Sequence, residues 1–126
     1  MTQKIFLSNL LKKNKNAIII GSLGTISYDL KQIPHKNKIL IAGAMGCVMG
    51  VALGYALSSK KKVICIIGDG AFIMKQGSVN TIMHYRPKNL KVYIMVNGIY
   101  ASTGGQEISN IFTRSPKSHF KLCRVD

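Results

Sequence analysis

The chain has 126 residues, the size of one domain with a modest core. Its hydrophobic content of 47% excludes a disordered chain. Against 18 Lys and Arg stand only 4 Asp and Glu, a formal net charge of +14 that favours anionic partners such as a diphosphate or a 2-oxo acid.

Residues 3–13 carry Ile5, Leu7, Leu10 and Leu11 at helical spacing, and the polar run Lys12 to Asn16 ends that helix. The opening, Met1 to Lys15, is too polar for a signal peptide, so a reducing cytoplasm is expected. Ala17 to Ile20 reads as a short β-branched strand closing in Gly21-Ser22; a helix starts within Leu23 to Leu30, and Pro34 to Lys38 forms a polar loop. Gly43 to Gly46 marks a turn and Cys47 to Ser58 a helix.

Ile39 to Leu57 contains no charge and precedes Lys60, Lys61 and Lys62, which matches a membrane span in length and flanks. Gly46, Gly50 and Gly54 even have the spacing of membrane helix pairs. Glycines and alanines dilute its hydrophobicity, however, and a strand follows after a short polar link. That rhythm belongs to a βαβ unit, so a helix packed closely on a sheet through its small residues is expected, and no membrane partner.

Val63 to Ile67 reads as a strand with Cys65 in its core face, leading to Gly68-Asp69-Gly70. Residues 74–85 read as one helix with Val79, Ile82 and Met83 inward. Arg86 to Asn89 links to a strand from Leu90 to Val96, then Asn97-Gly98 and a glycine-rich loop through Gly104-Gly105-Gln106. The last twenty residues show little periodicity. Cys47, Cys65 and Cys123 match neither a disulfide framework nor a CxxC metal site. The lysines are scattered along the chain with no aromatic interleaving and no RNP-like or zinc-knuckle pattern, so nucleic acid is not the expected partner.

Alternating strands and helices imply an α/β fold: a parallel sheet with helices on both faces and right-handed crossovers. The glycine-rich turns then share one sheet edge, where a diphosphate sits against helix N-termini and loop amides. Asp69 and Asn97 close two adjacent strands at that edge and offer hard oxygens to a cation. Each has a plainer role: Asp69 as a helix N-cap, Asn97-Gly98 as a tight turn. Met45 fits a core position, His84 sits near a helix end, and spacing suggests no partner for His35 or His119.

Gly68-Asp69-Gly70, followed after 26 residues by Asn97, resembles the thiamine diphosphate signature. Gly43-Ala44-Met45-Gly46 resembles the segment that precedes it in those enzymes. Ser102-Thr103-Gly104-Gly105-Gln106 is similar to a stretch of phosphonopyruvate and sulfopyruvate decarboxylases. The resemblance covers roughly residues 17–106. It implies Mg²⁺ held by the Asp69 carboxylate, the Asn97 side-chain oxygen and the Ile99 carbonyl, bridging to the cofactor's diphosphate. It implies that Gly68 belongs to the cofactor site, that Gly70 lets the backbone approach the diphosphate, and that the Ala71 amide donates to it, where many members have Ser. The Gly43 carbonyl, beside Ala44, would take the aminopyrimidine's amino group, Met45 would lie between the cofactor rings, and Gly21-Ser22 would touch the cofactor.

The family also needs a glutamate from a pyrimidine-binding domain, and none of the four acids fits that part. The resemblance therefore implies no catalytic residue on this chain and a pyrimidine-binding partner subunit, together making a 2-oxo acid decarboxylase. Two other readings stand beside it: the β subunit of a 2-oxo acid:ferredoxin oxidoreductase, which lacks support from any CxxC, and a non-catalytic, vestigial cofactor-binding domain. Departures are Val96 in place of a first Asn, Glu107-Ile108 in place of Pro-Thr, and a tail unlike the family. The expected organisation is a helix over residues 1–16, a thiamine diphosphate-binding domain over 17–108, and a divergent or truncated tail over 109–126, leaving a shortened fold and an exposed sheet edge.

Overall fold

In a computed structural model the residues described are 1–97, 99–100, 106–107 and 119–125. The chain runs α1 (Gln3–Lys13), β1 (Ile18–Gly21), α2 (Thr25–Gln32), β2 (Lys38–Leu40), α3 (Val48–Ser58), β3 (Val63–Gly68), α4 (Asp69–Met74), α5 (Gly77–Tyr85), β4 (Leu90–Val96), β5 (Ile99–Tyr100), β6 (Gln106–Glu107) and β7 (Phe120–Arg124). Five strands form one sheet in the order β2-β1-β3-β4-β7 with every pairing parallel, while β5 and β6 pair antiparallel apart from it. The α/β architecture expected from the strand–helix alternation is the one observed.

The strands bury alternate residues on opposite faces, as the pleat requires. Ile19, Ile64, Ile66 and Met95 meet Leu7, Leu11, Ile26 and Leu30 of α1 and α2. Ile20, Val63, Cys65, Ile67, Val92 and Ile94 meet Val48, Met49, Ala52, Ala56 and Ile82 of α3 and α5. Strand β3 is buried on both faces, which explains its unbroken apolar run. Each fully buried isoleucine there contributes about 1.5–3 kcal/mol.

Helix α3 packs on the sheet through Ala52 and Ala56 together with Val48, Met49 and Leu53. Gly50 and Gly54 face outward with open space where a Cβ would stand, so the glycine stripe is not the packing surface. Its last turn is closed by a residue distant in sequence: the Asn89 amide donates to the carbonyls of Ala56, Ser59 and Lys61 at 3.0, 2.9 and 2.8 Å. Among the described residues no helix is long and apolar enough to cross a membrane.

Three elements depart from expectation. The single helix over 74–85 is two, because Lys75 leaves helical geometry (φ −126°, ψ 40°) and α4 begins earlier, at Asp69. Strand β2 was hidden in the apolar run that leads into α3; it is only three residues long and half-buried. Strand β7 lies in the segment without periodicity and pairs in register with β4, Val92 opposite Phe120 through Val96 opposite Arg124. His119 secures its start: its carbonyl accepts from Val92 N–H at 2.7 Å, and its Nε2 lies 2.8 Å from the Pro87 carbonyl.

Candidate active site

The first crossover, through α2, leaves the sheet on one face, and the crossover after β3, through α4 and α5, leaves on the other. Ligands in such sheets bind in the crevice opened where neighbouring strands diverge, here beyond the C-terminal ends of β1 and β3. A cleft of about 60 Å³ lies there, lined by Ser22, Gly24, Thr25, Met45, Gly68, Asp69, Gly70, Ala71 and Asn97 among others.

Asp69 is the first residue of α4 and is 3% exposed. Its Oδ1 accepts from Gly70 N–H at 2.9 Å and its Oδ2 from Asn97 N–H at 3.1 Å. Two backbone amides, one from the start of α4 and one just past the end of β4, thus orient a carboxylate at the cleft wall. The N-cap position belongs to Gly68, which makes no side-chain cap bond, so Asp69 is not a cap in the usual sense. Asn97 closes β4 in an exposed position.

Met45 reaches the cleft from the turn before α3, and Gly46 sets that turn. Its φ is +85°, and a Cβ there would stand 2.4 Å from the Lys75 side chain and 2.9 Å from the Ala71 carbonyl, so only glycine fits. Ser22 is buried, its N–H donating to the Ile66 carbonyl at 2.9 Å and its carbonyl accepting from Ser27 Oγ at 2.5 Å. The loop from β1 is thereby tied both to β3 and to α2.

Of the eleven residues expected at the site, seven line the cleft: Ser22, Met45, Gly68, Asp69, Gly70, Ala71 and Asn97. Gly21, Gly43 and Ala44 are not among its lining residues. A Cβ on Gly21 would lie 2.3 Å from Leu30 Cδ1, so its glycine serves strand–helix packing. Gly43 and Ala44 are exposed on the turn that carries Met45. Ile99 opens β5, two residues beyond Asn97, with its backbone paired to Glu107.

The motifs did not point to Gln3 or Thr25, which also line the cleft. Gln3 arrives because α1 packs on α2, where its amide donates to Asp29 Oδ2 at 2.8 Å and to Thr25 Oγ1 at 3.4 Å. No local signal marks Gln3. The Gly24-Thr25 pair after a strand, with Gly24 at φ +81°, was the available sign of a turn into a helix.

The model of the thiamine pyrophosphate enzyme C-terminal TPP-binding domain matches residues 20–124. The chain belongs to this family. Sulfopyruvate decarboxylase subunit beta of Methanocaldococcus jannaschii is 37% identical over 110 residues, 86% of this chain and 58% of that protein. The protein of that name from Methanococcus maripaludis is 33% identical over all of this chain and 68% of its own length. Phosphonopyruvate decarboxylase of Streptomyces viridochromogenes is 33% identical over 73% of this chain, but only 23% of that enzyme is matched. The chain therefore spans only part of these curated relatives.

The residues present fit the TPP-binding family's cofactor. The cleft offers one oriented carboxylate, an amide side chain on the adjoining strand end and glycine backbone at Gly68 and Gly70, a donor set of hard oxygens and backbone amides. Among the described residues no group of three or more His, Cys, Asp or Glu could hold a metal ion. A cation there would need phosphate or water oxygens to complete its shell, as Mg²⁺ commonly does.

Proposed function

We propose that this chain is the diphosphate-binding subunit of a thiamine diphosphate- and Mg²⁺-dependent 2-oxo acid decarboxylase of the sulfopyruvate or phosphonopyruvate type, acting with a pyrimidine-binding partner subunit. The observation that carries the reading is Asp69: buried, held by the amides of Gly70 and Asn97, and set in the crevice between β1 and β3. The names of the relatives, including two beta subunits, support it.

In this reading Asp69, Asn97 and the Ile99 carbonyl hold the Mg²⁺. Gly68 and Gly70 let the backbone approach the diphosphate, and the Ala71 amide donates to it. Met45 provides an apolar wall for the cofactor's rings, with Gly43 and Ala44 at the aminopyrimidine end and Gly21-Ser22 flanking the loop from β1. The chemistry supplied by bound thiamine diphosphate is an electron sink for the carbanion left as CO₂ departs from a 2-oxo acid. This chain's part is to bind, orient and neutralise charge. Asp69 is the one acid lining the cleft among the described residues, and metal binding occupies it, so the proton-transferring glutamate is assigned to the partner. The cytoplasm, with its reduced thiols, is the proposed setting.

The test is a thermal-shift titration with thiamine diphosphate, with and without Mg²⁺, followed by a decarboxylation assay with sulfopyruvate and phosphonopyruvate. A Mg²⁺-dependent rise in melting temperature is expected for the chain, and turnover only when a pyrimidine-binding subunit is co-expressed. Absence of any shift in the complex overturns the cofactor reading. A shift without turnover in the complex identifies a non-catalytic binding domain instead.

A further inference from the structure

Far from the cleft, a concavity of about 700 Å³ is lined by Lys12, Lys13, Lys15, Lys36, Lys61 and Lys62. They come from the end of α1, the α2–β2 loop and the α3–β3 link, three segments that are separate in sequence. Lys62 precedes β3 and Asp69 follows it, so the groove and the cleft lie at opposite ends of a six-residue strand, about 20 Å apart.

Two of these lysines are positioned by neutral side chains. Lys62 Nζ donates to Asn14 Oδ1 at 2.9 Å and Lys36 Nζ to Asn16 Oδ1 at 3.0 Å. Asn14 is itself fixed, its amide donating to the Leu10 carbonyl at 2.8 Å. His35 Nδ1 accepts from Asn37 N–H at 3.1 Å, which leaves its Nε2–H to donate to the Asn14 carbonyl at 2.9 Å. Among the described residues no carboxylate lines the groove. Neutral asparagines hold Lys36 and Lys62 in place, and six like charges lining one concavity focus a positive potential there.

Among the described residues the lining contains no aromatic side chain and no Arg, so they offer neither a stacking platform for bases nor a bidentate fork. Lysine ammonium groups act on phosphate as point charges. The space exceeds one phosphate and falls within the usual range of small-molecule sites, roughly 300–1,000 Å³. We propose that this groove is a second ligand site, binding a linear chain of three or more phosphates, either free or carried by a nucleotide.

Calorimetric titration with tripolyphosphate and with ATP, thiamine diphosphate and Mg²⁺ being present, tests this on two charge-matched triple variants. Lys12→Gln/Lys36→Gln/Lys62→Gln should weaken tripolyphosphate binding roughly tenfold or more, from three lost charge pairs. Lys4→Gln/Lys31→Gln/Lys121→Gln, none of which lines the groove, should change it by less than about twofold. Equal weakening of both means diffuse attraction to a +14 surface and overturns the site. Equal affinity for the two ligands identifies the free chain as sufficient; tighter ATP binding identifies a nucleotide. Acylation footprinting of the wild-type lysines keeps the test decisive should the groove variant misfold. Protection confined to the groove lysines is expected. Uniform protection, protection only of Lys75 near the cleft, or protection of the groove by oligo-dT but not by tripolyphosphate overturns the proposal.

Discussion

The backbone N–H of Asn97 donates to Asp69 Oδ2 at 3.1 Å, joining the ends of β3 and β4 through a carboxylate. The bond links two motifs 28 residues apart and makes the orientation of Asp69 depend on the register of the two strands, Gly68 opposite Met95. The proposed cofactor site is thereby coupled to the packing of the sheet.

Asp69→Asn is nearly isosteric and retains an oxygen to accept one of the two amides. Its melting temperature should stay within a few degrees of wild type, while the Mg²⁺-dependent shift with thiamine diphosphate disappears. A shift of wild-type size would show that the carboxylate charge is not what holds the metal.

Gly46→Ala places a Cβ against the Ala71 carbonyl and Lys75 in a left-handed backbone conformation. Urea denaturation should show a loss of about 2 kcal/mol or more. Gly50→Ala and Gly54→Ala, facing open space in the middle of α3, should each stabilise by about 0.5–1 kcal/mol. Equal responses at the three positions would refute this division of their roles.

Asn89→Ala leaves three carbonyls at the end of α3 without their donor. A loss of about 1–3 kcal/mol is expected, with faster amide exchange confined to the last turn of α3 and the link after it. Unchanged exchange there would show that solvent replaces the Asn89 amide without penalty.

Burial raises the Cys65 thiol above its ordinary value of 9.0, and it raises Cys123 and the Tyr93 phenol in the same direction. Above the unfolded thiol value the folded chain keeps protons that the unfolded chain releases, so stability falls as pH rises. The urea midpoint should be flat below about pH 8.5 and decline above it, with the decline reduced in Cys65→Ala. In native protein a thiol reagent should label exposed Cys47 quickly and Cys65 only on unfolding. Rapid labelling of Cys65 at pH 8 would contradict its burial.

Much of this was legible before any coordinates. Local pattern located β4 to the residue, because a mostly apolar run of seven residues is bounded by polar Asn89 and Asn97. It also located α1, β3 and the end of β3 at Gly68-Asp69-Gly70, since strand length, helical period and glycine punctuation are properties of short windows. The motif spacing brought Asp69, Gly70, Met45 and Asn97 to one site for the same reason: parallel crossovers put every strand's C-terminal end on one edge.

What the windows could not show was decided by contacts between distant segments. β7 has too little pattern of its own and exists as a strand because β4 supplies its hydrogen-bonding edge. His119 and Asn89 look idle in sequence and find their carbonyls 32 and 28–33 residues away. Gly21 resembles a cofactor contact in the motif, yet Leu30 fills the space a side chain would take. Six of the lysines that look scattered along the chain share one groove, because α1, the α2–β2 loop and the α3–β3 link all end at the same edge of the sheet. Sequence determined the chemistry available at each strand end; only the tertiary arrangement decided which charges face each other across space.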